Sequence, residues 1–232
     1  MSDRTYRHED KYLLSHTEEV LMIQRALAVM QRDDHAGPDG YYRIRSLYFD
    51  DNTDSCYYDT ESGNDPRSKF RIRIYDRDTS YIRLEKKIKN KGLTRKVSSV
   101  ITKDECEAII EGRYSDILRA SSDLKGELIA EMQIKGLRPV VTVSYDRYPF
   151  IYPSLGIRFT IDSNLCYETD AHTFLSDAAS GIPVRTSGER IMELKWNNIM
   201  PAHLIEYFRI ETLQKDRFSK YYTCRSAAMI AP

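Results

Sequence analysis

Charged and apolar residues alternate with a period of two in several segments of the chain. The clearest case is Lys69-Phe70-Arg71-Ile72-Arg73-Ile74-Tyr75. Because successive residues of a β-strand point to opposite faces, such a segment places Lys and Arg on one face and Ile or Phe on the other. Similar alternation occurs in residues 83–89, 145–147, 158–162 and 193–196. The pattern therefore predicts a sheet with one charged and one apolar face.

Periodicity along the whole chain predicts both strands and helices. The predicted strands are residues 5–14, 42–49, 70–76, 81–89, 94–101, 140–148, 157–164 and 190–196. Two helices are predicted to begin at capping boxes, Ser15-His16-Thr17-Glu18 and Thr102-Lys103-Asp104-Glu105. The predicted helices are residues 15–30, 54–61, 102–111, 123–134, 201–207 and 219–229. Residues 170–190 are expected to form a surface loop.

This order of elements indicates an α+β fold, and we expect residues 1–232 to form a single domain. Two arrangements of the sheet fit the alternation. One is a closed antiparallel β-barrel with the charged face inside and the helices packed outside. The other is an open antiparallel sheet with its charged face toward water and the helices on the other side. Alternation alone does not choose between them.

The composition narrows the classes of function. Hydrophobic residues make up 41% and charged residues 30% of the 232 positions, which is typical of a globular protein. Lys plus Arg equal Asp plus Glu at 35 each, so no nucleic-acid partner is expected. The four cysteines are widely spaced and predict neither a zinc site nor a disulfide framework, which suggests a reduced, cytoplasmic location. No apolar run approaches the ~20 residues that span a membrane.

The predicted charged face has more cations than carboxylates. Its basic residues are Arg7, Lys11, Arg71, Arg73, Arg83, Lys87, Lys89, Arg147, Arg158 and Lys195. Its acidic residues are Glu9, Glu85, Asp162 and Glu193. Unpaired buried cations are costly, so a barrel enclosing this face would need a bound polyanion. Arg and Lys bind phosphate oxygens, and the carboxylates could hold Mg²⁺ or Mn²⁺.

Eight short motifs then follow one another along the chain. They are Arg7-x-Glu9-x-Lys11-Tyr12, Ser46-Leu47-Tyr48-Phe49-Asp50, Phe70-Arg71-x-Arg73-x-Tyr75, Glu85-x-Lys87, Tyr145-x-Arg147, Arg158-x-Thr160-x-Asp162, Glu193-x-Lys195-Trp196 and Arg217-Phe218-Ser219-Lys220-Tyr221. In this order they resemble the polyphosphate polymerase type of VTC (vacuolar transporter chaperone) domain, within the CYTH or triphosphate tunnel metalloenzyme superfamily. Each motif is weak alone, but the ordered set is specific and extends from about residue 4 to residue 225.

The resemblance implies a tunnel-forming antiparallel β-barrel that binds ATP, triphosphate or polyphosphate. It also implies transfer of the γ-phosphoryl group of ATP to a polyphosphate chain, with Mg²⁺ or Mn²⁺. The implied phosphate-binding residues are Lys11, Arg71, Arg73, Lys87, Tyr145, Arg147, Arg158, Lys195, Ser219 and Lys220. The implied catalytic residues are Lys11, Arg217, Ser219 and Lys220, and the implied metal ligand is Glu193, with Glu9, Glu85 and Asp162 as further candidates. Coupling to a membrane would require a separate membrane-protein partner.

Two positions depart from the patterns of related proteins. Arg217 stands where the polymerases tend to have Lys in a Lys-x-Ser-Lys motif, which keeps the charge but changes its geometry. Arg7 stands where the hydrolytic relatives have the first Glu of Glu-x-Glu-x-Lys. Replacing a carboxylate by a cation favours phosphate binding over a second metal ion, and therefore a polymerase over a triphosphatase.

Several alternatives stay open at this point. The protein could be a polyphosphate polymerase, a triphosphatase or nucleoside triphosphate hydrolase, or a non-catalytic module that senses polyphosphate or nucleotides. The charged residues also have a purely structural interpretation as ion pairs. In that interpretation Arg71 and Arg73 pair with Glu85, and the other pairs are Arg147 with Asp162 and Glu193 with Lys195.

Overall fold

The computed structural model describes residues 6–114, 123–176, 181–184 and 190–231. The strands in this part of the chain are β1 (His8–Leu14), β2 (Gln31–Arg32), β3 (Tyr42–Asp50), β4 (Arg67–Tyr75), β5 (Asp78–Asn90), β6 (Leu93–Ile101), β7 (Arg138–Tyr152), β8 (Ile157–Glu168), β9 (Ile182–Pro183) and β10 (Arg190–Trp196). The helices are α1 (His16–Val29), α2 (Ser55–Glu61), α3 (Lys103–Ile110), α4 (Asp123–Lys135), α5 (Ala202–Phe208) and α6 (Lys220–Ile230), with short 3₁₀ helices at Pro153–Leu155, Ala171–Leu175 and Ile210–Thr212.

Local sequence determines several of these boundaries. Helix α1 begins at its predicted capping box, where the Ser15 hydroxyl accepts from the Glu18 backbone N–H and the Ser15 backbone N–H donates to the Glu18 carboxylate. Helix α3 begins with the same reciprocal pair. The β5–β6 hairpin turns through Lys91 and Gly92, both with positive φ, as a tight hairpin turn requires. The short strands β2 and β9 were not predicted, because two residues are too few to show alternation.

All paired strands are antiparallel, and the order across the sheet is β1-β10-β8-β7-β3-β4-β5-β6. The sheet is curled into a half-barrel. Its edge strands β1 and β6 meet where Arg7 and Thr94 exchange two backbone hydrogen bonds of 3.0 and 3.1 Å. In the described residues no longer ladder joins them. The antiparallel α+β architecture is confirmed, whereas the structure shows an open half-barrel in place of the predicted closed barrel.

The pairing register limits this closure. In an antiparallel ladder that contains the Arg7–Thr94 pair, residues of β1 after His8 would face residues before Leu93, where β6 begins. Residues 215 and 216 run beside that part of β1, where Tyr12 pairs with Lys215 and the Asp216 backbone N–H donates to the Lys11 carbonyl at 2.9 Å. The local pattern of β1 carries no information about this neighbour, because it comes from the opposite end of the sequence.

Helices cover the apolar outer face of the sheet. Helices α3 and α4 pack on β4, β5 and β6, with Ile72 and Leu84 buried against Leu128. Helices α1 and α5 pack on β8 and β10. The charged residues of the strands consequently lie on the concave face. Helix α6 packs on β7 and β8 from this concave side, where Tyr221 is buried with Tyr48 and Tyr145. No helix in the described part of the chain is both long and apolar enough to cross a membrane.

Candidate functional site

A cavity of about 1240 Å³ occupies the concave face of the sheet. Most of its wall comes from inward-facing residues of β1, β4, β5, β7, β8 and β10, and the rest includes the segment that leads into α6. Lys and Arg dominate this wall. The charged face of the alternating strands therefore encloses a space and does not form a flat solvated surface.

The cavity brings together every residue that the sequence suggested for phosphate binding or catalysis. The set is Lys11, Arg71, Arg73, Lys87, Tyr145, Arg147, Arg158, Lys195, Arg217, Ser219 and Lys220. Within this set Arg158 is the most exposed of the cations that have an ion-pair partner, since its side chain is 48% exposed and pairs with Asp33 at 2.7 Å. Of the candidate metal ligands, Glu9 and Glu193 line the cavity, whereas Glu85 and Asp162 are fully buried behind its wall.

Glu85 is the centre of the first ion-pair group. Its carboxylate lies 2.7 Å from Arg71, 2.8 Å from Lys96 and 4.0 Å from Arg73. Arg83 is 3.8 Å away. Burial alone would raise the pKa of Glu85, but Arg71 and Arg73 outweigh burial and hold this pKa well below its ordinary value. The permanently charged carboxylate therefore fixes the guanidinium groups on the cavity wall.

Hydroxyl groups complete the orientation of the two arginines. Arg71 donates to the Tyr48 hydroxyl at 3.0 Å. Arg73 donates to Ser46 at 2.9 Å and to the Tyr145 hydroxyl at 3.3 Å. Both side chains consequently have defined positions on the cavity wall.

The second ion-pair group contains Asp162 and Glu193. Lys220 lies 2.6 Å from an oxygen of each carboxylate. Arg147 holds Asp162 through two contacts of 2.6 and 2.7 Å and lies 3.5 Å from Glu193, which also accepts from Lys195. Although burial lowers the pKa of Lys220, Asp162 and Glu193 more than compensate and raise it well above its ordinary value. Lys220 is therefore charged at neutral pH.

The third ion-pair group joins the two ends of the chain. Lys87 contacts both oxygens of Glu9 at 3.0 Å. Lys11 lies between Glu9 and Glu193, at 3.6 and 3.7 Å, and donates to the Phe218 carbonyl at 2.7 Å. The first strand and the segment before α6 thus meet at the same part of the cavity.

Ion pairs of the kind that a structural interpretation predicts are present, but they do not neutralise the site. In the three ion-pair groups nine cations surround Glu9, Glu85, Asp162 and Glu193. The cations are Lys11, Arg71, Arg73, Arg83, Lys87, Lys96, Arg147, Lys195 and Lys220. The cavity thus has a large positive surplus in a protein of zero net charge, and a polyanion is the ligand that such a surplus favours.

Sequence reasoning missed several residues that shape the site, and Lys96 and Asp50 are two of them. Lys96 was missed because residues 94–98 lack the clear alternation of the other strands, although Lys96 faces Lys87 across the β5–β6 hairpin. Asp50 was quoted in a motif without a role. Its carboxylate accepts from two backbone N–H groups of α2, at 2.9 and 3.0 Å, and from the Tyr221 hydroxyl. Asp50 therefore anchors the first turn of α6, next to Lys220.

Acidification should unfold the protein. The pKa values of Glu9, Glu85, Asp162 and Glu193 all lie below their ordinary values, because neighbouring cations outweigh the effect of burial. Carboxylates with depressed folded-state pKa values stabilise a fold above their unfolded pKa, near 4, and this stability is lost as the pH falls further. Thermal melts followed by circular dichroism should show a steep fall in Tm between about pH 5 and pH 3. A constant Tm over this range would contradict the prediction.

The described residues contain no cluster of three or more His, Cys, Asp or Glu side chains arranged to hold a metal ion. Any metal bound here would take most of its ligands from phosphate and water. Glu9 and Glu193 are the candidate ligands that face the cavity.

A curled antiparallel sheet around a cationic cavity defines the fold class of the protein. Two solved structures share the fold at 16% sequence identity. One is a proposed adenylate cyclase from Bacillus halodurans, with a TM-score of 0.53 over 89% of this chain and 91% of the other. The second is a proposed adenylyl cyclase from Hippeastrum described as having a dominant triphosphatase activity, with a TM-score of 0.58 over 95% and 96%.

Within this class, the sequence matches the VTC domain family over residues 6–229. The match covers nearly the whole chain, so the protein belongs to the VTC domain family, and the resemblance seen in the motifs is confirmed. A comparison with curated proteins finds no match.

Proposed function

We propose that the protein is a metal-dependent polyphosphate polymerase that transfers the γ-phosphoryl group of ATP to a polyphosphate chain. The observation that carries this proposal is the surplus of cations around one enclosed cavity, to which both ends of a VTC domain contribute. Phosphoryl transfer needs positioning and neutralisation of charge more than covalent chemistry by the protein. A wall of fixed cations supplies both.

Arg71 and Arg73 are suited to hold the triphosphate before reaction. Glu85 and three hydroxyl groups fix their orientation, so little reorganisation is needed when phosphate binds. Guanidinium groups can contact two phosphate oxygens at once. Lys87 and Arg147 add charge from neighbouring strands, and each is oriented by its own carboxylate.

The start of α6 is suited to stabilise the transferred group. Ser219 is the N-cap residue and accepts a hydrogen bond from the Tyr222 backbone N–H, which leaves its own hydroxyl proton available to a phosphate oxygen. The partial positive charge of the helix N-terminus adds to that of Lys220. Lys11 and Arg217 line the same cavity, so four groups from the two ends of the chain can act on one phosphoryl group.

Mg²⁺ or Mn²⁺ fits this site as an ion shared between protein and substrate. Mg²⁺ is commonly held by one or two carboxylates together with substrate phosphates and water. Glu193, with Glu9, would provide the carboxylate oxygens, and Lys11 lies between them. When bound, the ion would neutralise charge on the phosphate oxygens. Glu85 and Asp162 are fully buried behind the cavity wall and do not line it, which favours an anchoring role for these two residues.

Closure of the half-barrel is part of the same proposal. A polyanion between the two edges would draw β1 and β6 together into a tunnel, starting from the Arg7–Thr94 pair and the ion pair between Glu9 and Lys87. Hydrogen exchange at the backbone amides of Arg7 and Thr94 should slow when triphosphate is added. In this proposal residues 1–232 act as one cytoplasmic unit on ATP and polyphosphate, without nucleic acid, and any coupling to a membrane uses a separate membrane protein.

Incubation with ATP and either Mn²⁺ or Mg²⁺ tests the function. The expected result is a ladder of polyphosphate chains on a gel, accompanied by ADP, which disappears when the metal is chelated. Release of free phosphate without a ladder would contradict the polymerase activity and favour a triphosphatase. Triphosphatase activity is the one described for the Hippeastrum neighbour. If the protein binds ATP or polyphosphate without turnover, the result would favour a non-catalytic sensor module.

A further inference from the structure

Seven cations that line the cavity lie outside the three ion-pair groups. Arg158 and Lys215 pair with Asp33 and Asp10, and Arg7 belongs to the junction of β1 and β6. The other four are Arg67, Lys69, Lys89 and Arg217. Across the described residues, no carboxylate lies within the 4.0 Å ion-pair distance of any of these four side chains. All nine cations of the three ion-pair groups have such a carboxylate.

These four cations occupy one mouth of the cavity. Arg67 begins β4 and lies opposite Lys89, near the end of β5. Lys69 follows two residues along β4 on the same face, opposite Lys87. Arg217 is close enough to lower the pKa of both Arg67 and Lys89, for which burial is the larger cause. Positive charge is therefore concentrated at this mouth, and among the described residues no carboxylate lies at ion-pair distance from it.

Lys69 is the most enclosed member of the cluster. Its ammonium group lies 4.4 Å from the centre of the Tyr221 ring and donates to the Thr60 hydroxyl. Burial lowers the pKa of Lys69 to about 7, and the cations Arg67 and Lys87 add to the shift. An ammonium group in such surroundings gains from a nearby anion, and no carboxylate of the described segments is in contact with it.

The nearest carboxylates are occupied elsewhere. Asp65 accepts from the backbone N–H groups of Lys91 and Gly92 at 2.9 and 2.7 Å. Asp59 accepts from the Asn64 side-chain amide at 2.8 Å. Both carboxylates act on Arg67 only from beyond ion-pair distance. They reduce the positive potential at this mouth but do not remove it.

We propose that Arg67, Lys69 and Lys89 form a second phosphate subsite, which holds phosphate groups of a chain longer than triphosphate. The inner groups around Glu85, Glu193 and Glu9 hold the first three phosphates, and the chain continues toward the mouth. This subsite rests on the proposed function, because it extends a chain whose inner end lies in the cavity. It predicts that the protein distinguishes long chains from short ones.

Calorimetric titration with triphosphate and with a longer linear polyphosphate tests the subsite. The variants are Lys69→Met and Lys89→Met, and the matched control is Lys91→Met, an exposed lysine in the turn after Lys89 that does not line the cavity. Lys89→Met and Lys69→Met should each weaken binding of the long chain about tenfold, as loss of one charge-assisted contact does. Their affinity for triphosphate should stay within about twofold of the wild type. Lys91→Met should leave both affinities unchanged.

Other outcomes overturn the subsite, and they can be told apart from failure of the proposed function. Equal losses for triphosphate and for the long chain would place Lys69 and Lys89 in the inner site. If all three variants lose the same affinity for the long chain, the cations at the mouth attract the chain only non-specifically and form no subsite. If the wild type binds neither ligand, the proposed function and the subsite both fail. Suppose that the Lys69→Met and Lys89→Met variants lose only long-chain binding and that the wild type synthesises no polyphosphate. This result would support the subsite and contradict the polymerase.

Discussion

Replacing Lys220 by alanine is expected to lower the rate of polyphosphate synthesis by about 10²–10³. Losses of this size follow removal of one preorganised group that stabilises charge in the transition state. Lys220 is buried at the start of α6, is held 2.6 Å from both Asp162 and Glu193, and lines the cavity. The measurement is the initial rate of polyphosphate formation from ATP at saturating metal.

The fold should survive this substitution. Asp162 keeps its two contacts with Arg147, and Glu193 keeps Lys195 and Lys11, so neither carboxylate is left alone. A thermal melt checks that the variant is folded. Lys103→Ala, which removes a half-exposed lysine from α3, is the control and should retain full activity. Full activity of Lys220→Ala, or a loss explained by unfolding alone, would contradict the assigned role.

Replacing Glu85 by glutamine is expected to destabilise the protein by about 3–5 kcal/mol. Removing one partner of a buried ion pair leaves the other charge uncompensated, and Glu85 compensates Arg71, Arg73, Arg83 and Lys96 together. For a domain of this length, such a loss lowers Tm by about 10 °C. Thermal or urea unfolding of the purified variant measures it.

Glu107→Gln is the matched control for Glu85→Gln. Glu107 pairs with Lys103 one turn away on α3, at 3.8 Å, and both side chains are about half exposed. Exposed pairs of this kind contribute less than about 1 kcal/mol. The two variants make the same chemical change, so the difference between them isolates the effect of burial. Similar losses in both would show that Glu85 does not hold the cavity wall together.

The strands and their faces could be predicted because the alternation is local. In residues 69–75 each cation is separated from the next by one apolar residue, so strand geometry alone assigns every side chain to a face. The helix starts at Ser15 and Thr102 were equally predictable, since a capping box needs only four residues. The assembly of the suggested site residues around one cavity follows from this shared facing.

The depth at which each charged side chain is buried and the closure of the barrel could not be predicted in the same way. Glu85 has the same parity as Arg83 and Lys87, yet it lies behind the wall while they line the cavity, because long side chains extend past a shorter carboxylate. The single pair between β1 and β6 follows from the register in which the two edges meet, since β6 begins one residue before Thr94. A register between strands so distant in sequence leaves no trace in a local pattern.

The junction between Arg7 and Thr94 has a consequence for how a polymer enters. Two backbone hydrogen bonds contribute together about 1–3 kcal/mol, so the backbone junction between the two edges is weak. A fully hydrogen-bonded barrel would admit a chain only end first. A seam held by one backbone pair and the Glu9–Lys87 ion pair can part and reseal, so under the proposed function a polyphosphate molecule would be loaded sideways, at a point far from either of its ends.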